Sequence, residues 1–395
     1  MIPPLLGHRF GLFGLFIAGS VLLALSVFCA AYGQDASTSG LSLATAERIE
    51  KPGWWPTKGE AARSEYAGSA ACAQCHEGIS ELQAETPMFH AASRASETRV
   101  LREHDNLQFS EEGYEYSLVR EGDRTMLHIT NGAHSLAAPV VWAIGKGEIG
   151  QTYLLKNKDT YYESRLSYFP AISGLDITPG HSQDSPKSLV DAVGTAQYPD
   201  TVKRCFGCHT TASMVSGNLD SDNATPGIGC EACHGPSAQH VKAVERGDGS
   251  VAAPFNPANL APADSVDFCG ACHRTAADLA VQKPGGVGVH GIRYPAYRLE
   301  RSFCWGTSGD VRITCIACHD PHKPLEKDMA RYDSKCLQCH AAAGHPAKAN
   351  QAASCTVASK DCASCHMPRY ELKTDHTILT DHYIRIVRPG SAYRE

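Results

Sequence analysis

The chain has 395 residues and a formal charge of -6, with 43% hydrophobic and 20% charged residues. That length supports one large or two modest domains with a sizeable core, and the balance excludes a disordered chain, a polytopic membrane protein and, by its acidity, a nucleic-acid binder. The unusual count is 17 cysteines, which in a chain of this size must serve disulfides, metal or a prosthetic group.

In chain order, the first element is a leader. Met1 to Arg9 is short and weakly basic and Phe10 to Phe28 is almost wholly apolar, the pattern of a signal peptide. Small residues at Ala31 and Gly33 place cleavage near Gly33/Gln34, so residues 1–33 are read as the leader. The apolar stretch also approaches the ~18 to 20 residues that span a bilayer, so an uncleaved anchor, giving membrane association through the N-terminus, is the alternative. Phe28 before Cys29 does not suit lipid attachment. Either way the body of the chain is expected outside the cytoplasm, in the periplasm or an equivalent compartment.

After the leader one pentapeptide, C-x-x-C-H, recurs. Residues 34–95 hold the first copy, Cys72 to His76. Residues 96–200 hold none; there Tyr114 to Arg120 and Thr125 to Thr130 alternate β-favouring and polar residues around Glu121-Gly122-Asp123, a hairpin signal, and Gln151 to Leu155 and Thr160 to Tyr168 are tyrosine-rich β candidates. Residues 201–395 hold six copies: Cys205 to His209, Cys230 to His234, Cys269 to His273, Cys315 to His319, Cys336 to His340 and Cys362 to His366. Gly, Pro, Ala and Asp punctuate this half, which predicts short helices and loops. The expected architecture is therefore a set of short α-helices and loops packed around prosthetic groups, with a small antiparallel β element inserted.

Chance would produce on the order of 0.04 such pentapeptides; seven are present. Two cysteines separated by two residues reach the two vinyl groups of a haem, and the next histidine supplies the proximal iron ligand. Zinc sites need two cysteine pairs per metal and have no use for a histidine after each second cysteine. The sequence thus calls for seven covalently bound haem c groups. Their thioethers fall on Cys72, Cys75, Cys205, Cys208, Cys230, Cys233, Cys269, Cys272, Cys315, Cys318, Cys336, Cys339, Cys362 and Cys365. The proximal ligands fall on His76, His209, His234, His273, His319, His340 and His366.

For the sixth ligands, His322 in C-H-D-P-H and His240 in C-H-G-P-S-A-Q-H stand just past a motif, where they suit a neighbouring haem. His376 and His382 in T-D-H-T-I-L-T-D-H, His90 after the first motif, and His290 and His345 complete a set of seven. His104, His128, His134 and His181 fall in or near the β region, where surface or packing roles are the ordinary expectation. Methionine is scarce, so mostly bis-histidine ligation and mostly low potentials are expected. Ionised propionates would add about 14 negative charges, which favours a basic patch on a redox partner. Cys304 and Cys355 remain, read as a disulfide or as two thiols.

The residues resemble a known group, the multihaem cytochromes c that include tetrahaem carriers, pentahaem nitrite reductase and hydroxylamine oxidoreductase, most of all its c-552/c-554-type members. Y-A-G-S-A-A-C-A-Q-C-H at Tyr66 to His76, G-C-E-A-C-H-G-P at Gly229 to Pro236, T-C-I-A-C-H-D-P-H at Thr314 to His322 and D-C-A-S-C-H-M-P at Asp361 to Pro368 carry the likeness, with a looser match from Ile144. The resemblance implies closely packed haems and an extracytoplasmic respiratory role. Every motif here ends in histidine, whereas pentahaem nitrite reductases place lysine at their catalytic haem. Two functions follow as expectations: electron transfer between partners such as a quinol-oxidising membrane cytochrome, other cytochromes or a terminal reductase, or oxidation or reduction of a small nitrogen or sulfur compound at one open haem.

Overall fold

The computed structural model describes residues 61–251, 253–282, 287–302, 304–305, 313–340, 360–388 and 390–394. The leader, His345 and Cys355 lie outside the described residues. Among the described residues no helix is long and apolar enough to cross a membrane.

The β region is much larger than a small insertion. Nine strands form one antiparallel sheet: β1 Ala92–Arg94, β2 Asn106–Glu111, β3 Tyr114–Glu121, β4 Arg124–Thr130, β5 Ser135–Ile144, β6 Gln151–Asn157, β7 Thr160–Phe169, β8 Gly174–Ile177 and β9 Gly194–Ala196. The path runs β2-β3-β4-β5-β6-β7-β8, with β1 added on β5 and β9 on β7. The expected hairpin is present as β3 and β4, paired from Glu115↔Thr130 to Glu121↔Arg124. The candidates at Gln151 to Leu155 and Thr160 to Tyr168 are β6 and β7, whereas β5, whose S-L-A-A-P-V-V-W-A-I lacks alternation and contains a proline, carries no such signal. Pro139 faces Met126 on β4, while pairing to β6 starts only at Val140. It thus sits where β5 has one neighbour and no second ladder needs its missing N–H.

Bulges between Val140 and Trp142 and between Thr152 and Leu154 bend the sheet. It curls until β2 and β8, the ends of the path, approach each other. Arg165 on β7 locks the curl, donating to both carboxylate oxygens of Glu111 on β2 at 2.8 and 2.7 Å. Inside lies a dry core that includes Tyr116, Leu118, Leu127, Ile129, Tyr153, Leu155 and Leu166. Leu127, 2% exposed, is expected to cost about 2–5 kcal/mol when replaced by alanine, read by denaturant unfolding of the holoprotein. A loss under about 1 kcal/mol would mean that this interior is not the core.

The outer face of β5, β6 and β7 packs on the helix Pro199–His209, which carries the second motif. Trp142, Leu154 and Tyr161 from the sheet meet Val202 and Phe206 from the helix. Pro199 opens this helix, pre-set for the first turn. At the end of β9's approach, Gly194 takes φ +132, and a Cβ there would stand 2.0 Å from the Glu163 carbonyl oxygen, so only glycine lets β9 join β7. The other motifs sit on the expected short helices: Ser69–Ala73, Glu231–His234, Pro262–His273, Cys315–Cys318, Met329–His340 and Cys362–His366.

Candidate functional site

Within a motif the backbone makes one helical turn from first cysteine to histidine. The N–H of His76 donates to the Cys72 carbonyl, that of His234 to Cys230 and that of His319 to Cys315, each at 2.9 Å. That turn brings two sulfurs and an imidazole to one side of a short helix. Cysteines of different motifs are drawn together. The thiols of Cys72 and Cys230 are in hydrogen-bonding contact, as are those of Cys269 and Cys315, and Cys336 lies against Cys362. The hydrogen bond between Cys72 and Cys230 raises the pKa of the first thiol and lowers that of the second. Cys208 donates to the Ala271 carbonyl of the fourth motif at 3.6 Å.

Buried carboxylates hold this packing. Glu231, inside the third motif and 3% exposed, accepts from the backbone N–H groups of Ala67, Gly68 and Ser237, each at 2.8 Å. It ties the approach to the first motif onto the third. Asp333, ahead of the sixth motif, accepts from the N–H groups of Asp361 and Cys362 at 2.6 and 2.8 Å and so opens the helix of the seventh.

The histidines sort by which ring nitrogen is used. A backbone carbonyl can only accept, so a ring nitrogen facing one carries the proton. His209 donates from Nδ1 to Ala91 at 3.2 Å, His234 to Phe255 at 2.8 Å, His366 to Arg385 at 3.1 Å and His382 to Thr380 at 3.1 Å. In His234, His366 and His382 this leaves Nε2 as the unprotonated nitrogen, the arrangement that orients a metal-ligating histidine. The rings of His234 and His322 are nearly parallel, 9° apart, with centroids 6.0 Å apart, and those of His319 and His382 stand 6.2 Å apart at 40°. Burial, and then His319 beside it, pull the pKa of His382 down to about 4, so its ring is neutral at neutral pH. Burial also lowers the pKa of His273, whose surroundings are protein although its own surface stays open.

The other candidates lie elsewhere. His90 is exposed, edge-on to Phe89 at 5.4 Å. His240 is half-buried on the helix Ala238–Glu245, and His290 is exposed in the turn Gly288–Arg293. His376 turns Nε2 to the Asp176 carboxylate on β8 at 2.7 Å and lies against Phe169, with centroids 4.9 Å apart. Of the β-region histidines, His104 bonds the Tyr168 hydroxyl at 3.3 Å, His128 bonds Glu121 at 2.8 Å and His181 bonds Glu163 at 3.3 Å. Cys304 is half-buried, and its proposed partner Cys355 lies outside the described residues.

The stretch from the end of the β region through the third motif has a counterpart among known families. Residues 179–235 match the family model described as cytochrome c554 and c-prime. That segment, which holds the second and third motifs, is cytochrome c-like. A looser structural likeness is to the outer cell wall cytochrome OcwA, at 15% identity and a TM-score of 0.46, covering 81% of this chain and 80% of that one. No curated relative matches.

The residues present fit covalent haem. The donor set is paired sulfurs with a helically placed imidazole, Nδ1–H donation in His234 and His366 leaves Nε2 as the unprotonated nitrogen, and second imidazoles stand near His234 and His319. With metal–imidazole bonds of about 2.0–2.1 Å, two rings on one metal have centroids roughly 6 Å apart, the separation of both ring pairs. Among the described residues no three His, Cys, Asp or Glu side chains converge into a cluster that could hold a bare ion. Among the described residues, a buried guanidinium nitrogen beside the His382 turn also lacks a protein acceptor. Arg298 is 0% exposed, yet its Nη1 has no acceptor. Its other nitrogens grip Asp381 at 2.8 and 2.9 Å, next to His382. Glu231, Asp333 and Arg298 were missed from the sequence. Only Glu231 carried a signal, standing inside a motif.

Proposed function

We propose that this chain is an exported seven-haem c-type cytochrome that passes electrons between respiratory partners outside the cytoplasm. The observation that supports the reading is the meeting of a motif histidine with a second imidazole in two places, His234 with His322 and His319 with His382, at centroid distances of 6.0 and 6.2 Å that suit two ligands on one metal. His322 thus serves the third haem and His382 the fifth, each from a neighbouring part of the chain. Bound haem would supply a one-electron iron couple at each motif, and bis-histidine ligation keeps it at low potential.

The protein's own residues do the rest. Nδ1–H donation to carbonyls fixes the ring of each oriented histidine and raises its basicity. Contacts between cysteines of different motifs bring neighbouring haem attachments together, so an electron need not leave the protein between them. The buried Arg298 Nη1 suits a propionate carboxylate, the acceptor it lacks. A quinol-oxidising membrane cytochrome, other cytochromes or a terminal reductase fit as partners through basic surfaces that meet an acidic protein.

Intact-mass measurement of protein matured with a haem-ligation system is expected to give the polypeptide plus seven haems. Electron paramagnetic resonance of the oxidised form should show low-spin, six-coordinate iron. A colourless folded product would overturn the reading, and a stoichiometric high-spin signal would move it to a catalyst with an open iron.

A further inference from the structure

The two places where a motif histidine meets a second imidazole carry buried charge of opposite sign. Beside His234 stands Glu231, a carboxylate 3% exposed that accepts from three backbone N–H groups. Beside His382 the balance is reversed. Arg298, on the helix Pro295–Glu300, shares Asp381 with Arg385, and the three side chains are 0%, 0% and 10% exposed. Two guanidinium groups thus meet one carboxylate, and one unit of positive charge is left over.

The donors show where that charge is unmet. Arg385 directs its remaining N–H groups into the chain, to the Tyr383 carbonyl at 2.7 Å and the Tyr370 hydroxyl at 3.2 Å. Arg298 Nη2 also donates to the Arg394 carbonyl at 2.7 Å, while Nη1 meets no acceptor among the described residues. Around it stand the rings of Tyr383 and Tyr393, 5.1 and 4.9 Å from the guanidinium carbon. Such rings hold a cation without neutralising it, and a buried charge left uncompensated is costly. The site therefore calls for an anion at Nη1. Its place in the fold says which one. Ala296 and Leu299 of the same helix join Val266 of the fourth-motif helix in one apolar cluster, against which Cys315, the first cysteine of the fifth motif, is packed.

We infer that these buried charges set the direction of electron flow: Arg298 Nη1 holds a carboxylate of the fifth haem and makes that haem the stronger acceptor, while Glu231 makes the third haem the stronger donor. The inference rests on the seven-haem reading. Both sites offer two imidazoles, so ligation does not separate their potentials and the surrounding charge does. A ferric iron carries one more positive charge than a ferrous one, so a nearby cation favours the ferrous state and a nearby carboxylate the ferric. One electron moving from the third site to the fifth turns one ferrous iron ferric and one ferric iron ferrous, with no proton in the balance.

The test uses the haem-loaded full chain, matured with haem carrying ¹³C in its carboxyl groups. Redox titration followed by electron paramagnetic resonance gives each midpoint, the fifth haem being the low-spin signal lost in His382→Ala and the third the one lost in His322→Ala. The fifth is expected to titrate above the third. Arg298→Gln should raise the ferric-to-ferrous ratio of the fifth haem alone by about tenfold at a fixed potential, ~59 mV for one electron, and should move one labelled carboxylate band in the infrared. Arg298→Lys keeps the charge and should restore most of the midpoint. Glu231→Gln should move the third haem alone, in the opposite sense. A third haem at or above the fifth would overturn the inference. So would a labelled band that stays in place in Arg298→Gln, which puts water or a free anion at Nη1. Should Arg298→Gln fail to accumulate, Arg298→Lys decides, because one ammonium cannot span Asp381 and the haem carboxylate together, so the band must still move. Protein without haem would show no labelled band at all, whereas failure of this inference leaves the bands present and unmoved.

Discussion

If the proposed haems are bound, replacing His382 by alanine is expected to convert one of them from low to high spin and to let it bind added imidazole, which restores the low-spin signal. The reasoning starts from His319, whose ring lies 6.2 Å from that of His382. His382 donates from Nδ1 to Thr380, so Nε2 is the nitrogen available to a metal, and the ring is neutral. Removing it would leave a haem attached at the fifth motif with His319 as its remaining histidine ligand. His322→Ala should do the same at the third haem, and the double variant should give two high-spin irons. His376→Ala is the control, because its Nε2 is taken by Asp176, and its spectrum is expected to stay wild-type. Replacing His382 by methionine should instead raise one midpoint potential by on the order of 0.1 V. An unchanged spin state in both His382→Ala and His322→Ala would remove the pairing.

The histidines also mark where sequence reasoning stopped. C-H-D-P-H and the double T-D-H run drew attention to His322 and His382 because each stands in a tight, motif-adjacent turn. Nothing local could say that His322 faces the ring of His234 or that His382 faces His319, since those meetings are made by tertiary packing. His376 lies in the same run as His382, yet β8 supplies it with a carboxylate, and β8 itself was invisible as a four-residue strand. The sheet was legible where its strands alternate or carry β-favouring aromatics: β3 and β4 were recognised as a hairpin, and β6 and β7 as tyrosine-rich candidates although the second-motif helix covers their outer face. The short strands β1, β8 and β9 and the proline-bearing β5 gave no such signal. Motif cysteines needed no fold at all to be read, being a covalent chemistry written in five consecutive residues.

The second large effect concerns the support under His382. Arg298 and Asp381 are both 0% exposed, with Nε to Oδ1 at 2.8 Å and Nη2 to Oδ2 at 2.9 Å. Asp381 also accepts from Arg385 at 2.7 Å and from the Tyr383 N–H at 3.0 Å. Ser302 completes the clamp, donating to the His382 carbonyl at 3.1 Å and accepting from the Ile384 N–H at 2.8 Å. Arg298→Met strands a buried carboxylate with one remaining cation, and is expected to cost about 3 kcal/mol. It should also loosen the His382 turn, which would appear as a partial high-spin signal at one haem. Removing both charges is gentler than removing one, because the desolvation penalty disappears with the charge. Arg298→Met combined with Asp381→Asn keeps an acceptor for Tyr383 and should regain at least half of the lost stability. If the double variant is less stable than Arg298→Met alone, the pair is not acting as a compensated buried charge, and its hold on the ligand turn must come from shape rather than electrostatics.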